Sequence, residues 1–281
     1  MTNPSPETDP VSVPLSRSQA WLVAIRPATL PAAIGPVLVG LAVAISLGVF
    51  EPLPAVAALA VALLLQIASN VGNDLSDYRS GVDTDERLGP PRAAASGLLS
   101  ERELLVGLAV IVGLTGLVGL YLVSVGGLVI LVLGVAAVIS AFAYSGGPWP
   151  YGYHGLGEVF VFVFFGLVAV SGTTYLQTLT WEPLAFAAAI PVGALITAIL
   201  GINNLRDLDT DAKTGKRTLA VILGERGAVA EYDLLMGVAY AIPVGLLIAG
   251  DVTWTVLLPL ASLPLTIALF RVVHAGGDPR R

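Results

Sequence analysis

The sequence predicts an all-α, polytopic membrane protein. Apolar residues make up 56% of the 281 positions and charged residues only 12%, against roughly 25% charged residues in soluble domains. Apolar runs of about 20 residues recur along the chain, and each is long enough to cross a hydrocarbon core about 30 Å thick. These runs are continuous rather than alternating, which favours spanning helices over an outer-membrane barrel.

Eight apolar segments are predicted to cross the membrane, with ends uncertain by a few residues. Ser100 and Glu103 have the spacing of a capping box and predict the start of the third helix. Residues 1–16, rich in Pro, Ser and Thr, are expected to form a disordered tail, and residues 17–281 a single transmembrane domain. The eight segments are about 20–48, 54–75, 103–123, 127–144, 156–179, 183–205, 227–249 and 252–273.

Composition excludes several classes of site. The chain has no cysteine, which rules out disulfides, thiolate metal sites and cysteine nucleophiles. Its net charge of −6 gives no indication of nucleic-acid binding. No positively charged segment with a short apolar stretch and a cleavage site precedes the first span, so no signal peptide is expected.

Basic residues predict the orientation of the protein in the membrane. All 14 Lys and Arg residues lie in the tails, in the loops near 76–102 and 206–226, or at the adjoining helix ends. The intervening short loops contain none. By the positive-inside rule, the N-terminus and both charged loops are cytoplasmic, and the protein is expected in the cell membrane as a multi-pass protein.

Two polar clusters end the second and sixth predicted helices on that same side. Asn70, Asn73, Asp74 and Asp77 are spaced i, i+3, i+4 and i+7, so they share one helix face, and Gln66 extends that face one turn deeper. A polar stripe in a membrane helix is expected to face a cavity or a partner rather than lipid.

The second cluster repeats this arrangement. It consists of Asn203, Asp207 and Asp211, at i, i+4 and i+8. Neighbouring carboxylates repel, more strongly near a low-dielectric cavity, so the two clusters require protons or cations. Carboxylate and amide oxygens suit Mg²⁺, which commonly bridges to phosphate oxygens. Basic residues that could hold the remaining phosphate charge are Arg79, Arg92, Arg206, Lys213, Lys216 and Arg217.

Four stretches of the chain resemble the UbiA superfamily of intramembrane prenyltransferases, and most closely its branch that acts on 1,4-dihydroxy-2-naphthoate in menaquinone synthesis. The second and fourth stretches are the most specific. They are RPATLPAAIGPVLVG at 26–40, NDLSDYRSGVDTDERLGPPR at 73–92, YSGGPWPYGYHGLGE at 144–158 and NNLRDLDTDAKTGKRTLAVILG at 203–224.

The chain departs from the superfamily pattern in two places. In the first motif, N-D-x-x-D-x-x-x-D, the last position is Gly81, with Asp83 two residues later; this departure resembles the naphthoate branch. The family is also expected to have nine spans, whereas eight are visible, either because the sequence is truncated or because this protein lacks the ninth helix.

The resemblance implies Mg²⁺-dependent transfer of a polyprenyl group from its diphosphate to the aromatic acceptor, with loss of CO₂, giving demethylmenaquinone. The partners are then polyprenyl diphosphate, the acceptor and membrane lipid. The implied metal ligands are Asp74, Asp77, Asp207 and Asp211, which are also the catalytic carboxylates, with Asn73 and Asn203. Diphosphate contacts are expected from Arg79, Arg92, Lys213, Lys216 and Arg217.

The acceptor is expected near Arg26, Asn70, Tyr144 and Tyr153, with Arg26 as the partner of the ring carboxylate or, alternatively, as a topological anchor. Glu158 is either a proton acceptor or an interfacial residue. The mixed-charge loop that contains Asp83, Asp85, Glu86, Arg87 and Arg92 is expected to close over the diphosphate.

Two alternatives stay open at this point. One is another enzyme of the superfamily, with 4-hydroxybenzoate, homogentisate, haem, chlorophyllide or an ether lipid as its substrate. The other is a divalent-cation transporter with acidic vestibules. Transporters place polar groups near the bilayer midplane, whereas the carboxylates here crowd one membrane face, which favours a one-sided reaction chamber.

Overall fold

The computed structural model describes residues 15–81, 89–250 and 252–275, and all regular structure among them is helical. Most of the predicted disordered tail, residues 1–14, lies outside this part of the chain. The α-helices are α1 (Arg17–Ile25), α2 (Pro31–Ser46), α3 (Pro52–Ser80), α4 (Glu101–Ala143), α5 (Gly157–Val161), α6 (Ala169–Thr178), α7 (Pro183–Arg206), α8 (Leu208–Lys213), α9 (Leu219–Ala249) and α10 (Leu263–His274).

Six helical segments are long and apolar enough to span a membrane, and the pair α1–α2 adds a seventh. In one of them a π-helical stretch, Phe162–Val168, joins α5 to α6. Large apolar side chains such as Leu53, Leu128 and Ile248 are mostly exposed, as expected where a helix meets lipid. The chain is therefore a multi-pass helical membrane protein, as predicted.

Helix α4 consists of two helices, and each of them crosses the membrane. Its 43 residues are interrupted at Gly127, whose φ of 67° and ψ of −153° are not helical. At the start of α4, Glu101 accepts a 2.8 Å hydrogen bond from Arg79 Nε, and just past its end Ser145 donates a 2.7 Å hydrogen bond to Asn73. Because both ends meet the same end of α3, the chain must reverse at Gly127. The structure thus contains eight crossings between residues 15 and 275, and the reversal uses one glycine instead of the predicted loop at 124–126.

The first crossing is bent by 46° between its two helices, where the sequence predicted one proline-containing span. Arg26 adopts a left-handed conformation (φ 54°, ψ 71°), and Pro27, which has no N–H, follows it. The N–H of Thr29 bonds the carbonyl of Arg26 rather than that of Ile25, and the Ile25 carbonyl accepts a 2.8 Å hydrogen bond from Asn70 Nδ2 on α3. The bend is therefore attached to the polar end of α3.

Close helix contacts build the wall of the bundle. A side chain at Gly166 would meet Gly193 Cα at 2.7 Å, so these two glycines let the π-helical stretch approach α7. The predicted capping box opens α4: Ser100 and Glu103 exchange hydrogen bonds. The segment 93–99 before it packs into the core, where Ala93 and Leu99 are buried against Val71 of α3.

Candidate active site

A cavity of about 850 Å³ lies between the helices. Its inner wall is apolar and includes Val37 of α2, Leu133 of α4 and Phe164 of the π-helical stretch. Its polar end is formed by the last turns of α3 and α7, the loop after α3, the turn 151–154 and the loop after α8. The polar stripe predicted on α3 contributes Gln66, Asn70, Asn73 and Asp77 to the lining.

Asp77 is the centre of the first acidic cluster. Its side chain is 3% exposed and forms an ion pair with Arg92. The Tyr153 hydroxyl donates a hydrogen bond to its other oxygen, and Lys216 Nζ lies 3.8 Å from Oδ2. Burial, together with the negative charge of Asp77, raises the pKa of Tyr153 above its ordinary value, so the phenol keeps its proton and remains a donor.

Asp74 is not part of the cavity lining. Its carboxylate is fully buried and accepts backbone hydrogen bonds from Ala93 (2.9 Å) and Ala94 (3.2 Å). The expectation that all four polar residues share the cavity-facing stripe is therefore corrected for this one. Asp74 faces the loop after α3 because that loop packs back against the helix.

The second acidic cluster lies at the end of α7. Asn203, Asp207 and Asp211 all line the cavity. Arg206 binds both carboxylate oxygens of Asp207, at 2.8 Å from Nε and 2.6 Å from Nη2, and its Nη1 donates to Asn203 at 3.1 Å. Each acidic cluster thus has an arginine of its own.

Lys216 joins the two clusters. Its Nζ faces Asp77 and lies 4.7 Å from the centre of the Tyr153 ring, in cation–π range. Its backbone N–H donates a 2.9 Å hydrogen bond to the carbonyl of Asp211. The loop after α8 therefore brings the end of α7 to the end of α3, about 130 residues earlier in the chain.

The predicted diphosphate-binding residues divide into two groups. Arg92 and Lys216 line the cavity, as does Arg206. Arg79, Lys213 and Arg217 do not, and Arg79 is half-exposed and paired with Glu101. These three side chains are exposed, so the structure places them outside the cavity. Asp83, Asp85, Glu86 and Arg87, expected to close over the diphosphate, lie outside the described residues.

All four predicted acceptor-binding residues line the cavity: Arg26, Asn70, Tyr144 and Tyr153. Asn70 also donates 2.8 Å hydrogen bonds to Ile25 and to the Thr29 hydroxyl, so it fixes the bend of the first crossing. Tyr144 packs edge-on against Tyr151, with ring centres 5.6 Å apart. The aromatic side chains of the turn thus form one wall of the polar end.

Glu158 is buried behind the cavity rather than in it. One of its oxygens accepts a 2.6 Å hydrogen bond from Asn204 Nδ2, and Asn204 itself lines the cavity. The sequence pattern indicated Asn203 as a site residue but not its neighbour Asn204. Asn204 lies one turn before Asp207, and its position in the repeated pattern of α3 and α7 was the available signal.

The oxygen atoms at this end suit a divalent cation only if further ligands complete its coordination. Asn73, Asp77, Asn203, Asp207 and Asp211 provide hard oxygen atoms of the kind Mg²⁺ prefers. Within the described ranges, no group of three or more Asp, Glu, His or Cys side chains is close enough to hold one ion. Mg²⁺ usually keeps several waters and binds through one or two carboxylates plus phosphate oxygens, so this donor set is suited to an ion that arrives with a diphosphate.

Comparison with known proteins decides the family. The model of the UbiA prenyltransferase family matches residues 33–280. The chain belongs to this family. Its relatives include the 1,4-dihydroxy-2-naphthoate octaprenyltransferases of Escherichia coli (42% identical, covering 94% of this chain and 88% of the relative) and of Mycobacterium tuberculosis (40% identical, covering 92% and 88%).

Solved structures of UbiA proteins share the fold. A UbiA homolog from Aeropyrum pernix superposes with a TM-score of 0.68 at 17% identity, covering 95% of this chain and 92% of that one. A homolog from Archaeoglobus fulgidus, solved with DMAPP and Mg²⁺, has a TM-score of 0.63 at 17% identity, covering 90% and 85%. The predicted resemblance to UbiA prenyltransferases is confirmed, and membership of this enzyme family replaces the cation-transporter alternative.

Proposed function

We propose that this protein transfers a polyprenyl group from polyprenyl diphosphate to 1,4-dihydroxy-2-naphthoate, with Mg²⁺ as cofactor and with loss of CO₂. The observation that carries the proposal is the pairing of two acidic clusters, each with its own arginine, at the polar end of an apolar cavity. The names of relatives that are about 40% identical over most of the chain support this choice of acceptor.

The polar end is suited to bind the diphosphate. Asp77, Asp207 and Asp211, with Asn73 and Asn203, would hold Mg²⁺, which supplies positive charge to the departing diphosphate when it is bound. In the structure, Arg92 and Arg206 neutralise Asp77 and Asp207. Once a cation takes over these carboxylates, both guanidinium groups and Lys216 can turn to the phosphate oxygens.

The apolar part of the cavity is suited to the prenyl chain. Its walls exclude water from the carbon that becomes cationic when the C–O bond to the diphosphate breaks. The ring carbon that carries the carboxylate then forms the new C–C bond. The bond to the carboxylate breaks, CO₂ leaves, and the electron pair restores the aromatic ring. Since CO₂ rather than a proton is lost, this step needs no general base.

Arg26 is the proposed partner of the acceptor carboxylate, because it lies in the cavity wall at the bend of the first crossing. Asp74 is a positioning residue in this proposal, since it holds the segment that begins with Arg92. We assign the site to the cytoplasmic face of the cell membrane. The clustering of Lys and Arg in the tails and in the two charged loops supports this assignment.

The deciding experiment is an assay of the purified full chain with polyprenyl diphosphate, Mg²⁺ and either 1,4-dihydroxy-2-naphthoate or 4-hydroxybenzoate. We expect prenylated product and CO₂ from the naphthoate alone. Product from 4-hydroxybenzoate alone would overturn the acceptor assignment. EDTA is expected to abolish turnover and added Mg²⁺ to restore it, with unchanged helix content by circular dichroism. Turnover that survives EDTA would overturn the metal assignment.

A further inference from the structure

The side-chain amide of Asn204 lies between Glu158 and the cavity. Its Nδ2 donates a 2.6 Å hydrogen bond to Glu158, which lies behind the wall of the cavity. No hydrogen bond to its Oδ1 comes from the described residues, and the side chain forms part of the lining. The amide therefore turns its nitrogen towards the wall and its oxygen towards the cavity.

Glu158 fixes this orientation. Glu158 Oε1 accepts the hydrogen bond from Asn204 Nδ2, so the amide nitrogen faces the glutamate and the amide oxygen faces the other way. Glu158 is 4% exposed, and the side chain of Asn204 donates a hydrogen bond to it. A flipped amide would place two acceptors against each other in a buried position, which is unfavourable. Glu158 thus presents an amide oxygen to the site.

An amide oxygen cannot contact a phosphate favourably, because both groups are acceptors. Its ligand must be a hydrogen-bond donor or a cation. Asn204 lies one turn deeper than Asp207, on the side of the apolar cavity. A side chain at Gly157, the residue before Glu158, would meet the Tyr144 ring at 3.3 Å and Leu200 at 3.4 Å. The surroundings of the Asn204–Glu158 pair therefore include a flat aromatic ring and an aliphatic side chain, both of which line the cavity.

We propose that Asn204 Oδ1, oriented by Glu158, accepts a hydrogen bond from a ring hydroxyl of the aromatic acceptor. This inference rests on the proposed function and assigns one polar contact of its acceptor. Asn204 is then a binding residue that helps to select a hydroxylated ring, and Glu158 is a positioning residue that acts through it. A site that hydrogen-bonds a substrate hydroxyl discriminates against analogues that lack it, because the buried acceptor is left without a partner.

The test measures how variants of Asn204 and Glu158 bind naphthoates that carry two ring hydroxyls or only one. Binding of 1,4-dihydroxy-2-naphthoate, 1-hydroxy-2-naphthoate and 4-hydroxy-2-naphthoate is measured by titration calorimetry, without oxygen, on the full chain in lipid nanodiscs. For the wild type, we expect the loss of one of the two hydroxyls to weaken binding about tenfold, the effect of one buried hydrogen bond. Asn204→Leu should bind 1,4-dihydroxy-2-naphthoate about tenfold more weakly than the wild type does. It should bind the analogue that weakened wild-type binding no more weakly than it binds 1,4-dihydroxy-2-naphthoate.

Glu158 variants separate positioning from catalysis. Glu158→Gln still offers an oxygen to Asn204 Nδ2 and should keep most of the discrimination between parent and analogue. Glu158→Leu should lose it although Asn204 is present. If Asn204→Leu or Glu158→Leu fails to fold, the double variant Glu158→Leu/Asn204→Leu removes both polar groups together, which is better tolerated in a buried site.

Two outcomes would overturn the inference. In one, Asn204→Leu and the double variant weaken the parent and both analogues by the same factor. In the other, they raise the Mg²⁺ concentration needed for turnover and leave acceptor binding unchanged, which would make Asn204 a metal ligand. Turnover of the parent by the wild type tests the proposed function separately. A failed hydroxyl test in an active enzyme therefore rejects only the role of Asn204.

Discussion

The carboxylate of Asp74 accepts a 2.9 Å hydrogen bond from the backbone N–H of Ala93, nineteen residues further along the chain. A second bond from Ala94 completes the contact. The segment that these bonds hold carries Arg92, which pairs with Asp77 in the cavity. Neighbouring carboxylates on one helix thus have different surroundings: Asp74 holds the loop, and Asp77 faces the cavity.

Asp74→Asn should lower stability without changing the metal requirement. An asparagine can accept one of the two backbone bonds through its oxygen but not the other, and a hydrogen bond to a charged group contributes about 1.5–3 kcal/mol. We expect a loss of about 2 kcal/mol in the free energy of unfolding and a larger loss for Asp74→Ala. The measurements are thermal unfolding and the Mg²⁺ dependence of turnover. Unchanged stability with a raised Mg²⁺ requirement would instead identify Asp74 as a metal ligand.

Arg79 and Arg92 should differ sharply in their effect on activity. Exposed ion pairs contribute about 0–1 kcal/mol, so Arg79→Ala, which breaks only the pair with Glu101, should leave turnover within about twofold. Arg92→Lys keeps the charge but loses the planar fork that binds two oxygens. We expect its KM for polyprenyl diphosphate to rise about tenfold. Equal effects of the two substitutions in steady-state kinetics would contradict this division of the basic residues.

Tyr153 should make stability depend on pH in the alkaline range. Its pKa in the folded protein is raised above the ordinary value of 10.0, because it is partly buried and lies beside Asp77. The neutral phenol is therefore favoured by folding, and its contribution to stability is complete below about pH 10 and is lost as pH rises towards the folded-state pKa. Arg92 and Lys216 are the basic groups facing the same carboxylate.

Tyr153→Phe removes this titration. We expect the wild type to be more stable than Tyr153→Phe by about 1–2 kcal/mol at about pH 8, the contribution of one buried hydrogen bond to a charged acceptor. The difference should shrink as pH rises above about 10. Thermal unfolding of both proteins across this range provides the measurement. A constant difference at all pH values would show that the phenol does not titrate with folding.

Gly127 should tolerate no side chain. Its φ of 67° with ψ of −153° belongs to a region that is essentially restricted to glycine. Gly127→Ala should therefore destabilise the protein by about 1–3 kcal/mol. Gly119→Ala is the matched control, because it lies in the same helix with nothing within 4 Å of the added carbon. Similar unfolding temperatures for the two variants would be inconsistent with a strained reversal at this residue.

Sequence predicted the crossings well because each depends on local composition. The apolar runs and the capping box at Ser100 appear in the structure, whereas the predicted loop 206–226 contains α8 and the start of α9. The reversal was predicted as a loop at 124–126, but its reduction to the single residue Gly127 was not, and the bend at Arg26 was missed, since both depend on single backbone conformations. Hydropathy does not distinguish such a position from the helix around it.

The candidate site could be predicted in part. The helical spacing brought Asn73 and Asp77 to one face, and the repeated pattern brought in Asp207 and Asp211. The direction of Asp74 could not be predicted, because it depends on how a loop nineteen residues away packs against α3. The same holds for Glu158, whose partner lies 46 residues away on another helix. Helical spacing predicts which residues share a face, whereas tertiary packing decides which of them line the cavity.

The ion pairs Arg92–Asp77 and Arg206–Asp207 give the protein its own counter-ions. Each of these two carboxylates is already neutralised by its arginine. If the proposed magnesium diphosphate binds here, its cation would face the carboxylates and its anion the arginines, whereas a free anion or a free cation would satisfy only one side of each pair. An inhibitor built as a metal-free phosphate mimic would have to compete with these internal carboxylates. Compounds that carry a cation together with an anion have the matching charge pattern.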